Sequence, residues 1–203
     1  MIDRETLARL VEFHGHMCPG LAMGIRASEV ALERIGPHSA DEEVVAIVET
    51  DMCGVDAVQF LTGCTFGKGN LVHHDFGKNA YTFLRRSDGR AVRVSMRPGG
   101  FGPPDPDRET RFAGHRERSQ QILATPLEEL YDVRDVDVDL PPLARVFASV
   151  ECASCGEPTM ETRVRRLAGR ELCPPCFDAA LAGDAPVAAP LRAPSGTEDA
   201  ASA

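Results

Sequence analysis

The spacing of apolar positions changes repeatedly along the chain, from helical to strand-like and back. Residues 3–13 place Leu7, Leu10, Val11 and Phe13 near one face, with Ile2 just ahead, which predicts a short amphipathic helix. The turn-like stretch His14-Gly-His16-Met-Cys18-Pro-Gly follows. Pro19 suits the first position of a second helix, which Leu21, Ile25 and Leu32 extend to about Gly36. Residues 43–49 (EVVAIVE) are a β-branched run that reads as a strand buried in part on both faces. Asp51 to Leu61 predicts a helix with Asp51 as its cap and Val55, Val58 and Leu61 on a shared face.

Further along, Cys64 to Asn70 is glycine-rich and reads as a loop. Residues 79–86 and 90–96 flank Ser-Asp-Gly, a hairpin signal. Residues 97–107 are an irregular connection rich in proline and glycine, and 108–124 fit a polar helix ending before Pro126. Residues 133–140 (VRDVDVDL) alternate as a half-exposed strand does, and 143–150 read as another. Helices and strands without regular alternation point to an α+β fold. The chain divides into a core over 1–150, a small cysteine-bearing module over 151–182, and an Ala/Pro-rich tail over 183–203 that reads as disordered.

Composition narrows the classes. The 203 residues carry 22 Lys plus Arg against 31 Asp plus Glu, a formal charge of −9. That balance disfavours general attraction to nucleic-acid backbones or anionic membranes, though not a local basic patch. A hydrophobic fraction of 43% supports a packed core, and with 5% aromatics and no Trp the packing is aliphatic. The sequence has no signal-peptide pattern and no apolar run long enough to span a membrane, so the expected setting is the cytoplasm.

Seven cysteines without a secretory signal argue against a disulfide framework. They fall into two sets. Cys152-Ala-Ser-Cys155 and Cys173-Pro-Pro-Cys176 stand 17 residues apart, a spacing that lets four thiolates converge on one tetrahedral zinc ion. Gly156 follows the second ligand, where a tight knuckle needs a left-handed residue. A hairpin over 161–172 and a helix from Pro174 complete a treble-clef-like module. Four Cys ligands leave no open position, so this zinc is structural and couples to the module's folding. A redox role for either CxxC is disfavoured by their pairing. Arg163, Arg165, Arg166 and Arg170 make the module locally basic, but no aromatic residues are interleaved for base stacking.

Cys18, Cys53 and Cys64 form the second set, with His14 and His16 alternating ahead of Cys18 and His73, His74 and Asp75 beyond the glycine-rich loop. In an extended segment His14, His16 and Cys18 would project to one side. Cys18 stands where an N-cap would, and the helix N-terminus favours its thiolate. Two chemistries fit: an open His/Cys metal site, or a thiol nucleophile at Cys18 or Cys64 with His16 or His73 as base. The third possibility is inert, apolar core cysteines. Lys68 and free amides in the loop could hold an anion, although no P-loop pattern is present.

The strings FHGHMCPG, CGVDA and GCTFGKGNL, then HDFGKNAYTF and the closing CASCGEPTMETRVRRLAGRELCPPCF, together resemble the FmdE family, named after a component of formylmethanofuran dehydrogenase. The resemblance covers about residues 5–180. It implies an α+β core with an added treble-clef zinc finger, in an intertwined homodimer. It further implies a core site at His16, Cys18, Cys53 and Cys64, surrounded by Lys68, Asn70, Asp75 and Lys78. With no iron–sulfur cysteine run and no molybdopterin-binding module, the chain is not expected to be the dehydrogenase catalyst. The expectation is a zinc-binding accessory protein with a second metal or ligand site in the core, tied to one-carbon metabolism by the family name. Two alternatives stand beside it: a metal-sensing or regulatory protein using the finger on nucleic acid or a protein partner, and a thiol-dependent enzyme.

Overall fold

A computed structural model describes residues 2–99 and 108–183. Most of the irregular connection expected at 97–107, and the tail expected at 183–203 beyond its first residue, lie outside the described residues. The chain forms two compact units, residues 1–144 and residues from 145 onward.

The first unit is α+β. It contains α1 (Arg4–His14), α2 (Pro19–Arg34), β1 (Val44–Val48), α3 (Gly54–Thr62), β2 (Leu71–His73), β3 (Ala80–Arg85), β4 (Ala91–Met96), α4 (Arg108–Ala124), α5 (Leu127–Leu130) and β5 (Tyr131–Asp135). Asp3 caps α1 by accepting from Thr6 N–H at 2.8 Å, and Gly15 ends it in the left-handed region at φ 94°. The sheet runs β2-β1-β3-β4-β5. β1 and β2 are parallel, joined by α3, and the other pairs are antiparallel.

All five residues of β1 are buried, so both sheet faces are covered, as its continuous apolar run predicts. On one face Val44, Ala46, Val48, Tyr81, Phe83, Val92 and Val94 pack with Met23, Ala27, Val30 and Ala31 of α2. On the other, Val45, Ile47, Leu84 and Ala91 meet Val72, Val136 and Val138. Each fully buried Leu, Ile, Val or Met contributes roughly 1.5–3 kcal/mol, so α2, buried along ten of its sixteen residues, anchors the unit.

Three boundaries differ from expectation. The helix read from Asp51 begins at Gly54: Thr50 Oγ1 accepts from Met52 N–H at 3.3 Å, and the chain turns before Cys53 takes the cap position. The alternating run 133–140 is strand only as far as Asp135; Val136 still donates its N–H to the Ala91 carbonyl of β4 at 3.2 Å, and Val136 and Val138 pack over the sheet. The strand read over 143–150 reduces to Ser149–Glu151.

The second unit holds β6 (Ser149–Glu151), β7 (Pro158–Met160), a 3₁₀ turn at Glu161–Arg163, β8 (Arg165–Leu167), β9 (Arg170–Leu172) and α6 (Pro174–Ala182). Its small core is Cys152, Cys155, Leu172, Cys173 and Cys176, with Leu167 and Phe177 against them.

Candidate metal centres

Glycine brings α2 and α3 together. A Cβ on Gly24 would collide with the backbone of Gly54, so the helices approach where neither bears a side chain. This crossing sets Cys18, the N-cap of α2, near Cys53, the N-cap of α3. A Cβ on Gly20 would lie 3.1 Å from the Cβ of Cys53 and 3.8 and 3.9 Å from the Sγ atoms of Cys53 and Cys18.

The left-handed Gly15 turns the chain at the end of α1, so His14, His16 and Cys18 meet across a bend rather than along an extended segment. One ligand atom from each lies within 4.8 Å of the others. The two imidazole centroids are 4.8 Å apart. His14 Nδ1 lies 2.6 Å from Asp56 Oδ2 on α3, and its Nε2 lies 3.8 Å from Cys18 Sγ. An ionised Asp56 places the His14 proton on Nδ1 and leaves Nε2 as a donor atom, the carboxylate–histidine arrangement that orients metal ligands. Zinc bonds of about 2.0–2.1 Å to nitrogen and 2.3 Å to sulfur would set tetrahedral N and S ligands about 3.6 Å apart, close to the spacing found. The donor set therefore fits a metal ion with at least one open position.

The expected lowering of the Cys18 pKa by its helix start does not occur. Burial pushes the thiol up, the Leu21 N–H that it accepts at 3.4 Å pulls it down, and Cys53 pushes it up again. Cys53 sits beside Cys18 but outside the trio. Cys64 is not gathered with them: it is fully buried, donates to the Val44 carbonyl at 3.3 Å, and is pushed by burial to about 11.

The other residues expected around the site are dispersed. Lys68 donates to Ser39 O at 2.9 Å. Buried Asn70 donates to Val44 O at 2.8 Å and accepts from Thr65 N–H at 3.0 Å, bracing the glycine-rich loop. Asp75 and Lys78 are exposed between β2 and β3, with Lys78 Nζ 5.7 Å from the Phe76 ring centroid; His73, at the end of β2, is also exposed. Asp56 was not among the expected site residues, although it stands within CGVDA, three places after Cys53 on the same helix start.

In the second unit the four cysteine sulfurs lie within 4.8 Å of one another, all buried. Cys155 and Cys173 Sγ are 3.8 Å apart, the edge of a tetrahedron with zinc–sulfur bonds of about 2.3 Å. Gly156 adopts φ 78°, as the knuckle requires. Burial opposes ionisation of Cys152, but backbone N–H groups, chiefly those of Cys155 and Cys173, hold it at about 6. The other three thiols are pushed up, so the arrangement favours one thiolate within the cluster, and it is the convergence of the four sulfurs that fits a structural zinc site. Arg165 pairs with Asp178 at 3.1 Å and Arg166 with Glu171 at 2.6 Å, so part of the basic cluster is neutralised within the module.

Fold and sites together define an α+β core protein carrying a C4-type zinc finger. Residues 13–132 match the family described as FmdE, molybdenum formylmethanofuran dehydrogenase operon, and the chain belongs to that family. Residues 145–180 match the prokaryotic dksA/traR C4-type zinc finger. A relative from Archaeoglobus fulgidus, named a probable S-adenosyl-L-methionine-binding protein, is 36% identical over 185 residues, covering 79% of this chain. The chain spans about half (50%) of that relative's length. The crystal structure of a tungsten formylmethanofuran dehydrogenase FmdE-like protein from Syntrophus aciditrophicus is similar at a TM-score of 0.63 and 26% identity, over 87% of this chain and 92% of that one.

Proposed function

We propose that this FmdE-family chain is a metal-binding accessory protein. Its finger holds a structural zinc, and its core holds a second metal ion on His14, His16 and Cys18, in the service of formylmethanofuran dehydrogenase-type one-carbon metabolism. The observation that carries the reading is the convergence of those three donors with Asp56 behind His14. Bound there, the ion would supply a Lewis-acidic position open to an outside ligand. Asp56 keeps the proton on Nδ1 and aims Nε2, while the Leu21 N–H holds the Cys18 sulfur in place. Raised thiol pKa values at Cys18 and Cys64 speak against a free thiolate nucleophile.

Metal analysis of the purified full chain tests this. Wild type should carry about two metal ions per chain, and His14→Ala with Cys18→Ser should reduce that to about one. Two ions retained by the double variant would sink the core site. S-adenosylmethionine, named for the A. fulgidus relative, is a candidate outside ligand, and calorimetry on the metal-loaded chain decides whether the shared half binds it.

The reading includes a cytoplasmic homodimer. All seven cysteines are free, which suits a reducing compartment. A groove over α1, α2 and α3 carries Phe13, Phe60 and Leu61 between Arg9 and Glu33, and Phe13 is 56% exposed. Light scattering should give twice the chain mass; a monomer at micromolar concentration would remove this part.

A further inference from the structure

Three glycines bring two thiols together without bonding them. Cys18 caps α2 and Cys53 caps α3, and the helices meet where Gly24 and Gly54 carry no side chains. The point that a Cβ on Gly20 would occupy lies 3.8 Å from Cys53 Sγ and 3.9 Å from Cys18 Sγ, so both sulfurs border one gap that glycine leaves open. Both thiols are free. They differ in access: Cys18 is 4% exposed, whereas Cys53 is half-buried. They differ in use as well. Cys18 belongs to the ligand trio and accepts from the Leu21 N–H, while Cys53 stands outside the trio and makes no side-chain bond to the first turn of α3. The Cys53 sulfur is thus the one that a small molecule meets first, and Cys18 is the neighbour that can answer it.

We propose that Cys18 and Cys53 are an oxidisable pair: a hydroperoxide closes them into a disulfide, and the bond withdraws Cys18 from the core metal ion. The Cys53 sulfur loses its proton and attacks the peroxide. An S–O bond forms, the O–O bond breaks, and the leaving oxygen takes up a proton and departs as water or an alcohol. Rotation of both side chains into the gap beside Gly20 lets the Cys18 sulfur attack that of Cys53. The S–S bond replaces the S–O bond, and the hydroxyl leaves as water with the Cys18 proton. Two electrons pass from the sulfurs to the peroxide. A disulfide sulfur carries no charge, so the trio keeps two imidazoles and loses its anionic donor. Binding opposes bridging in turn, because a sulfur held by the ion is not free to attack. Cys53 is no ligand in this arrangement, and the ion keeps its open position. A transient disulfide of this kind suits a reducing compartment. The link to the metal rests on the core metal reading above, whereas the disulfide itself needs only the two thiols.

Peptide mapping of the full chain after exposure to hydrogen peroxide tests this, with the remaining thiols alkylated before tryptic digestion. The finger's cysteines fall on other tryptic peptides and leave the reading clear. In the metal-stripped chain a peptide pair joined through Cys18 and Cys53 should appear, and a thiol reductant should dissolve it. Zinc should slow its appearance roughly 10-fold or more. Cys64→Ser should keep the link and Cys53→Ser should abolish it. No Cys18–Cys53 link in the stripped chain, or one that joins Cys18 to Cys64 instead, overturns the pairing. A link that forms as fast with zinc as without it overturns the coupling to the metal. If metal analysis also finds no core ion, the core metal reading falls while the disulfide stands.

Discussion

His14 is the last residue of its helix, and the carboxylate that orients it comes from another. Nδ1 is occupied by Asp56, so Nε2 is the only ring nitrogen free to meet an ion beside Cys18. Asp56→Asn keeps the size of the side chain but removes the charge and permits the opposite ring orientation. Core metal affinity should fall roughly 10–100-fold, with the finger unaffected, as read by competitive titration against a chromogenic chelator. The family strings point to His16, Cys18 and Cys53 directly. They do not distinguish Asp56 from any other acid in a helical first turn, because its role depends on a 42-residue separation that only the fold closes.

Secondary structure was most legible where the apolar period was long. The helices at 4–14 and 19–34, the β1 run and the hairpin of β3 and β4 all follow their sequence patterns closely. β2, with three residues, is too short to show a period, and α5 with four is shorter still. The helix α3 starts later than Asp51 predicts, because an aspartate in cap-favouring context competes with a threonine-built turn one residue earlier. Cys64 shows the same limit at the site: a cysteine opening a glycine-rich loop has no signature that separates a ligand from a core residue, and here its thiol turns inward to a strand carbonyl.

One buried ion pair joins two of these strands. Glu49, at the end of β1, is 6% exposed and is held in a bidentate pair by Arg93 of β4. The Arg93 guanidinium lowers the Glu49 pKa, outweighing the effect of burial. A depressed folded value means that the stabilisation is complete above the ordinary glutamate value of 4.5 and is lost as pH falls through the lower folded value. Wild-type melting temperature should therefore drop below about pH 4.5, and this component should vanish in Glu49→Gln. A Glu49→Gln profile as steep as wild type would show that other carboxylates carry the acid sensitivity.

At the scale of the whole molecule, the two units rest on different physics. The first has a two-faced aliphatic sheet packed by helices, whereas the second has little besides cysteine sulfur, Leu172 and a few partly buried side chains at its centre. Chelation should thus unfold the second unit alone. Limited proteolysis after metal removal should cut within 145–182 while the core resists, and zinc should restore protection. Simultaneous loss of both units would contradict this independence. The finger was legible because two CxxC pairs carry their geometry in their spacing. The core site was legible only in part, because its donors are assembled by a bend and a helix crossing.

Strand β5 forms one margin of the five-stranded sheet, and Asp132, Arg134 and Asp135 crowd its five residues. Charged side chains along an edge discourage a foreign strand, which would have to desolvate them to pair. The sheet therefore has a guarded border: molecules of this protein should not zip together into growing β-ribbons through β5.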